Sequence, residues 1–348
     1  MSSPSMSAST RRSGFTIVEL LVVMAIIATL IGLLLVGLQS ARRAGKVTNE
    51  RNNLAQVYKA WMQYASSHDD SALPGYIEPT VQEMNWKVKY KSRDGTTIPS
   101  LYAANYPHRL LSYLDHSYQV LYDYIEADDD DFFRATLPDG SFNTVGVETM
   151  ALAPAFGYNG YYIGGYWRSV NGSPNLRFGN AVWDNAAGVE IIGKVVATKT
   201  SNVADPSRFV VFCGAATRGP GIYKKDGEND PGAALVVPHI LAEENIWNPS
   251  DGSNFGNVQM SSASLLSHFP TLATTFSLAQ SAGAAMEVVA SGSFGVPHRR
   301  FANQVSVAHA DGSTVGAGLG ELLDQSRWMN AAFDAANRTT FTHTDPAQ

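Results

Sequence analysis

Residues 11–43, RRSGFTIVELLVVMAIIATLIGLLLVGLQSARR, decide how the N-terminal part of this chain folds. From Leu20 to Leu38 the stretch carries no charge, and Thr29 is its only strongly polar side chain. Counted from Phe15, the apolar run would be about 36 Å long as a helix, whereas the hydrocarbon core of a bilayer is about 30 Å thick. The pattern therefore predicts a transmembrane helix over residues 15–38.

A cleaved secretory signal is the main alternative to a permanent membrane helix. Such signals have apolar cores of about 7 to 15 residues and end in a small-x-small cleavage site. Here the apolar run is longer, and Gln39 to Arg43 give a poor cleavage context, so we favour the membrane helix. The positive-inside rule leaves its orientation undecided, because basic residues stand on both sides of the run: Arg11, Arg12, Arg42, Arg43 and Lys46.

One carboxylate, that of Glu19, lies near the start of the apolar run. An ionisable group inside a membrane-spanning segment is costly unless it is paired, so it marks a candidate functional position. Glu19 is only four residues past Phe15, which leaves simple hydration at the headgroup level open. The other interpretation requires a cation at the same depth, and a new N-terminus created just before Phe15 would supply one.

The segment SGFTIVELLVVMAIIATLIGLLL, residues 13–35, closely resembles the N-terminus of type IV prepilins and type II secretion pseudopilins. In that family a membrane peptidase cuts after the glycine and methylates the new amine. The resemblance implies a leader over residues 1–14, cleavage between Gly14 and Phe15, and a subunit contact in which Glu19 pairs with the N-terminal amine of a neighbouring subunit. The chain departs from many pilins at Val36, where they carry a helix-loosening proline.

Residues 39–70 are predicted to continue the helix beyond the membrane in amphipathic form. Apolar side chains recur there at spacings of three, four and seven, which is typical of a helix with one buried face: Val47, Leu54, Val57, Tyr58, Trp61 and Ala65. We expect this face to pack under the protein's own head. The opposite, polar face is predicted to carry Asn49, Glu50, Asn53 and Lys59.

The head, residues 71–348, has the pattern of an α+β domain. Alternating or β-branched runs predict strands in residues 188–199, 208–215, 287–292 and 303–309, and residues 106–125 suit one or two short helices. Recurrent Asp-Gly and Asn-Gly pairs predict tight turns. The predicted fold is pilin-like, with a long N-terminal helix packed on an antiparallel β-sheet head with long loops. The single cysteine, Cys213, is expected to be an inert core thiol.

The C-terminal part of the head loosely resembles a signature of large pilin-like proteins, in which a histidine precedes Asp-Gly by nine residues. Here twelve residues separate His298 from Asp311, which Gly312 follows. His298 and His309 flank one predicted strand and could act together in catalysis. We favour the alternative that a histidine bonds the turn at Asp311.

Neither nucleic-acid binding nor catalysis is indicated by the sequence. The net charge of −6 and the absence of a basic stripe argue against nucleic acid. No established catalytic motif is present, so we expect no enzyme, no catalytic residues and no cofactor. Calcium is the one ligand that two acidic runs would suit, although such runs are more often solvated loops; the candidate ligands are Asp128, Asp130, Asp226, Glu228 and Asp230.

The function that these observations indicate is a structural subunit of a pilin-like filament, most specifically a type II secretion pseudopilin. The expected partners are prepilin peptidase, other pilin or pseudopilin subunits and the bacterial inner membrane, with the head in the periplasm. One alternative is a minor binding subunit whose aromatic head recognises a polymer or secreted substrate through Tyr158, Tyr161, Tyr162, Tyr166 and Trp167. The other is a membrane-anchored periplasmic enzyme.

Overall fold

The structure, a computed structural model, describes residues 17–122, 133–176, 182–184, 190–192, 196–216, 232–236, 294–297, 304–322 and 324–330. The chain forms two compact units, Met1–Lys46 and Val47–Gln348.

The first helix, α1, runs from Ile17 to Ser67. It contains no proline, and its three glycines cost about 1 kcal/mol each relative to alanine, which a helix of 51 residues tolerates. Every side chain described between Ile17 and Lys46 is exposed. This part of α1 has a window with a mean hydropathy of 2.9, and it is long and apolar enough to cross a membrane.

The second unit contains short strands and helical turns. Its strands are β1 (Tyr76–Ile77), β2 (Tyr90–Lys91), β3 (Thr97–Ile98), β4 (Phe156–Tyr158), β5 (Tyr166–Val170), β6 (Ser173–Leu176), β7 (Val182–Asp184), β8 (Glu190–Ile192), β9 (Val210–Ala216), β10 (Leu235–Val236), β11 (Phe294–Pro297), β12 (Val305–His309) and β13 (Thr314–Ala317). In the described residues its α-helices are α2 (Tyr106–Leu110), α3 (Thr144–Leu152) and α4 (Leu319–Leu322). A π-helix covers Val81–Trp86, and 3₁₀ turns cover Tyr102–Ala104, Leu111–Leu114, Tyr118–Val120, Thr200–Asn202 and Gln325–Arg327.

Within the described part of the chain, the main sheet has six strands in the order β11-β10-β4-β9-β12-β13. β9 is its centre and pairs antiparallel with β4, β11 and β12. β10 instead runs parallel to both β4 and β11. A smaller sheet has the order β1-β5-β6, and β2-β3 and β7-β8 form two-stranded ribbons. The predicted α+β fold, a long apolar N-terminal helix followed by antiparallel sheets, is confirmed.

The part of α1 that begins at Val47 packs against the main sheet. Trp61 is fully buried, and its indole Nε1 donates to the hydroxyl of Tyr158 on β4 at 3.0 Å. Tyr158 in turn stacks on Phe212 of β9 with ring centroids 4.8 Å apart. Leu54 and Val57 are also fully buried in this core. The predicted apolar face of the helix therefore covers the sheet.

The prediction that Glu50 lies on the polar face of α1 was wrong. Its side chain is 2% exposed and lies on the buried face of α1, not on the polar face. Glu50 precedes Leu54 by one helical turn and Val57 by two, so helical geometry places all three on the same face of α1. The carboxylate is accommodated because the hydroxyl of Ser306 on β12 donates to its Oε2 at 2.7 Å.

Turns with positive φ angles are found at the predicted signals Asp94-Gly95, Asp139-Gly140, Asn171-Gly172 and Asp311-Gly312, whereas Asn159-Gly160 has no positive φ. Asn171 and Gly172 connect β5 to β6 with φ values of 51° and 78°. Such a pair of left-handed residues is the type I′ geometry that a two-residue hairpin prefers. The predicted strand in residues 287–292 lies outside the described residues.

Candidate functional site

The residues predicted for processing and assembly lie at the start of the chain. Gly14 and Phe15 are outside the described residues, so cleavage between them remains a prediction. Glu19 lies in the first described turn of α1, and its side chain is exposed. The helix continues through Val36, as expected for a chain that lacks proline there.

The surface of α1 from Ile17 to Leu35 is apolar apart from Glu19 and Thr29, and its described side chains are exposed. Ile17 is 83% exposed, Leu33 70% and Leu34 69%. Contiguous apolar surface of this kind marks a membrane or protein contact. The hydroxyl of Thr29 donates to the carbonyl of Ala25 at 2.8 Å, so its polar group is satisfied within the helix. Lipid or other helices can therefore cover this surface without leaving the hydroxyl unpaired.

The Asp311 turn connects β12 to β13 and docks on α1. Asp311 accepts hydrogen bonds from the Ser313 backbone N–H at 2.9 Å and from the Ser313 hydroxyl at 2.7 Å. Desolvation opposes the change, but these hydrogen bonds hold the pKa of Asp311 below its ordinary value. The hydroxyl of Tyr58 on α1 donates to the carbonyl of Ala310 at 2.6 Å. The Asp-Gly pair thus has a structural role at the contact between helix and sheet.

His309 is part of this turn, because its Nδ1 lies 3.1 Å from the hydroxyl of Ser313. The hydroxyl donates to Asp311, so we infer that Nδ1–H donates to the hydroxyl and that Nε2 carries no proton. His309 is only 5% exposed, and its Nε2 makes no hydrogen bond to any described residue. Burial lowers the pKa of His309, and the nearby Arg327 lowers it further. These contacts agree with the interpretation that His309 bonds the turn at Asp311. The other histidine considered for catalysis, His298, lies outside the described residues.

The aromatic residues proposed for ligand binding are mostly buried. Tyr158, Tyr161 and Tyr162 are 0%, 6% and 3% exposed and belong to the core. Tyr166 and Trp167 are half-buried. The indole of Trp167 lies edge-on to that of Trp86, with ring centroids 5.2 Å apart, and Trp86 is also half-buried. Among the described residues of the proposed set and their ring contacts, Tyr166 and the pair of Trp167 with Trp86 keep partly exposed aromatic surface of the kind that the binding hypothesis requires.

Two buried basic side chains on α2 were not predicted from the sequence. The guanidinium of Arg109 is 2% exposed and donates to the carbonyls of Gly75, Ala104 and Asn105 at 2.8, 3.1 and 3.2 Å. The imidazole Nε2 of His108 lies 2.9 Å from the carbonyl of Val147, and burial lowers its pKa to about 4. Both side chains bind backbone carbonyls of other segments, so they join parts of the chain. No local sequence signal distinguishes them from exposed residues.

The predicted calcium ligands cannot be placed. Asp128, Asp130, Asp226, Glu228 and Asp230 all lie outside the described residues, and calcium binding there stays a prediction. Within the described ranges, no group of three or more histidine, cysteine or acidic side chains could hold a metal ion.

Comparison with known proteins identifies the N-terminal segment. Residues 9–35 match the family model for the prokaryotic N-terminal methylation motif. No curated protein and no solved structure matches the chain. The motif supports a type IV pilin-like protein that is a substrate of prepilin peptidase, and it implies assembly with other pilins. Together with the apolar part of α1, it supports a membrane-anchored pilin.

Proposed function

We propose that the chain is a structural subunit of a pilin-like filament, most specifically a type II secretion pseudopilin. In this proposal prepilin peptidase removes residues 1–14, α1 anchors the protein in the bacterial inner membrane, and the head lies in the periplasm. The observation that carries the proposal is the methylation motif at residues 9–35, which continues into the exposed apolar part of α1 with Glu19 near its start.

Glu19 has a defined role in this proposal. A carboxylate in an apolar helix needs a partner when lipid or other helices surround it. Cleavage before Phe15 would create an amine four residues away along the chain, and the same amine on a neighbouring subunit would reach the depth of Glu19 after a small axial shift. Pairing between subunits then fixes their axial offset, because each subunit offers one carboxylate and one amine.

Mass spectrometry of the mature N-terminus from native membranes tests the processing step. The expected result is a chain that begins with N-methylated Phe15. A chain that still begins with Met1 would contradict the proposal and leave a plain membrane anchor, in which case the head would become the candidate receptor or enzyme.

Glu19→Ala tests the assembly step. The variant should be cleaved normally but should enter filaments at least about tenfold less well, because an unpaired amine in an apolar surrounding is costly. Thr29→Ala is the matched control, since the hydroxyl of Thr29 is already satisfied by Ala25 in the same helix. Recovery of Glu19→Ala in sheared filaments at the level of Thr29→Ala would refute the pairing.

Recognition of a polymer or secreted substrate is the second candidate function. It is favoured by the half-buried pair Trp86 and Trp167 and by Met84, which is 71% exposed on the same π-helix as Trp86. Tryptophan and methionine are enriched at binding surfaces. The molar ratio of this chain to the other subunits in purified filaments separates the two functions. A ratio near one supports the filament subunit, and a few copies per filament supports the binding subunit.

A further inference from the structure

The second unit contains a buried positive charge on Arg109. Its side chain is 2% exposed, and a guanidinium keeps its proton in a protein. No carboxylate of a described residue forms an ion pair with it. Burial lowers the pKa of Arg109, and the described groups that act against this change are the hydroxyls of Tyr90, Tyr64 and Tyr158. A buried charge without an opposite charge is costly, so this arrangement calls for a negative partner.

The hydrogen bonds of Arg109 do not supply that partner. Its Nε donates to the carbonyl of Asn105, and its Nη2 donates to the carbonyls of Gly75 and Ala104. These carbonyl oxygens carry only partial charges. The remaining nitrogen, Nη1, makes no hydrogen bond to any described residue. The guanidinium is therefore held in place by the backbone, while the described part of the chain leaves its charge unbalanced.

Three half-buried tyrosines, Tyr64, Tyr90 and Tyr113, form what we call the tyrosine cluster. The ring of Tyr64 lies edge-on to that of Tyr113, with ring centroids 5.8 Å apart. Tyr90, on β2, interacts electrostatically with both of them and with Arg109, and Tyr64 also interacts with Arg109. Each tyrosine is partly exposed, whereas Arg109 is buried. The tyrosine cluster therefore places phenol groups that solvent can reach next to the buried charge.

The hydroxyls near Arg109 keep their protons at neutral pH. Burial raises the pKa of Tyr64 to about 12, and it raises the pKa of Tyr90 as well, although Arg109 opposes both changes. Neither tyrosine can therefore provide a negative charge, but each has an O–H group that can donate to one. The hydroxyl of Tyr158 is already used, because it donates to the carbonyl of Leu73 at 2.7 Å.

We propose that the tyrosine cluster binds a halide ion such as chloride, through O–H groups of Tyr64 and Tyr90 and the charge of Arg109 behind them. Carboxylate and phosphate groups are recognised best by two parallel N–H groups of one guanidinium. Arg109 cannot offer such a pair, because its Nε and Nη2 are bonded to carbonyls. A spherical ion needs no pair of this kind. All of these residues belong to the second unit, so the proposal does not depend on the membrane helix.

Thermal unfolding of the full chain in detergent, with chloride exchanged for gluconate at constant ionic strength, tests the proposal. An ion that binds only the folded chain raises the melting temperature. The wild type should gain at least about 2 °C in chloride. The double variant Tyr64→Phe/Tyr90→Phe, which keeps both rings but neither hydroxyl, should lose this gain. Tyr102→Phe is the matched control and should keep it, because Tyr102 is a half-buried tyrosine that stacks on Phe142 outside the tyrosine cluster.

Equal melting temperatures of the wild type in the two salts, or an equal gain in the wild type and the double variant, would overturn the proposal. A gain that is larger in sulfate than in chloride and that disappears in the double variant would also overturn it, and would assign the tyrosine cluster to an oxyanion. The width of the chlorine nuclear magnetic resonance signal measures binding independently of stability. The wild type and Tyr102→Phe should broaden this signal and the double variant should not; equal broadening by all three proteins would contradict the site.

Discussion

Gly312 combines a backbone requirement and a packing requirement in one residue. Its φ is +91°, a conformation that side-chain-bearing residues rarely adopt, and a Cβ added there would lie 2.9 Å from Cε1 of Tyr58. Tyr58 cannot easily move away, because its hydroxyl is bonded to the carbonyl of Ala310. The Asp-Gly signal in the sequence therefore marks a place where the backbone of the turn touches α1.

Gly312→Ala should lower the free energy of unfolding by at least about 2 kcal/mol, through both strain and overpacking. Gly95→Ala separates the two effects, because Gly95 has a φ of +81° and no atom within 4 Å of its added Cβ. We expect that control to cost about 1 kcal/mol. Urea unfolding of the detergent-solubilised chain, followed by tryptophan fluorescence, measures both; equal losses would mean that the Tyr58 contact contributes nothing.

His108 makes the stability of the second unit depend on pH. Burial lowers its pKa from 6.5 to about 4, so the unfolded chain binds the proton more tightly than the folded one. Its contribution is fully present above pH 6.5 and is lost as the pH falls towards 4. The free energy of unfolding should decrease by on the order of 3 kcal/mol over this window.

His108→Gln should flatten this pH dependence, because the amide of glutamine can still donate to the carbonyl of Val147 but does not titrate. Urea unfolding at pH 7 and pH 4.5 checks the prediction. Burial lowers the pKa of His309 as well, so a smaller acid-dependent loss should remain in the variant. A variant that loses as much stability as the wild type between the two pH values would show that His108 is not the responsible group.

At the scale of single elements, a buried carboxylate fixes how α1 sits on the main sheet. Glu50 accepts a hydrogen bond from Ser306 on β12, one helical turn before Leu54 enters the core. Hydrogen bonds to charged groups contribute about 1.5 to 3 kcal/mol. Ser306→Ala should cost that amount in urea unfolding, because one donor to a buried carboxylate is lost. Ser66→Ala, at an exposed hydroxyl of α1, should change stability by less than about 0.5 kcal/mol; an equal effect of the two substitutions would contradict this role of Ser306.

The same elements show what the sequence could predict and what it could not. The apolar part of α1, its buried face and strands β9 and β12 follow from local periodicity, which a single segment carries by itself. Helical spacing places Glu50 on the face of Leu54 and Val57, but the donor that accommodates its buried carboxylate, Ser306, is distant in the sequence and could not be foreseen. The parallel pairings of β10 and the buried Arg109 were missed for the same reason, since their partners lie in other segments. For the site, the prepilin-type motif was confirmed by the family match at residues 9–35, whereas cleavage between Gly14 and Phe15 and the assembly role of Glu19 stay predictions.

At the scale of the whole molecule, the two units differ in how their side chains are used. Described side chains from Ile17 to Lys46 are exposed, and burial along α1 begins with Val47, which is half-buried, and Glu50, which is buried. Leu54, Val57 and Trp61 then fill the core under the main sheet. The described core of the head therefore includes the second part of α1.

A chain that begins at Val47 should therefore fold without detergent into a soluble protein with a single cooperative unfolding transition. A chain that begins at Met62 removes Leu54, Val57 and Trp61, and each loss of such a side chain costs about 2 to 5 kcal/mol. Because a domain of this kind is stable by only about 5 to 15 kcal/mol, the shorter chain should not fold. Gel filtration and near-ultraviolet circular dichroism distinguish the two outcomes. If both chains aggregate, the part of α1 before Val47 is needed for folding of the head; if both fold, the helix is an appendage to the sheet and its buried face is dispensable.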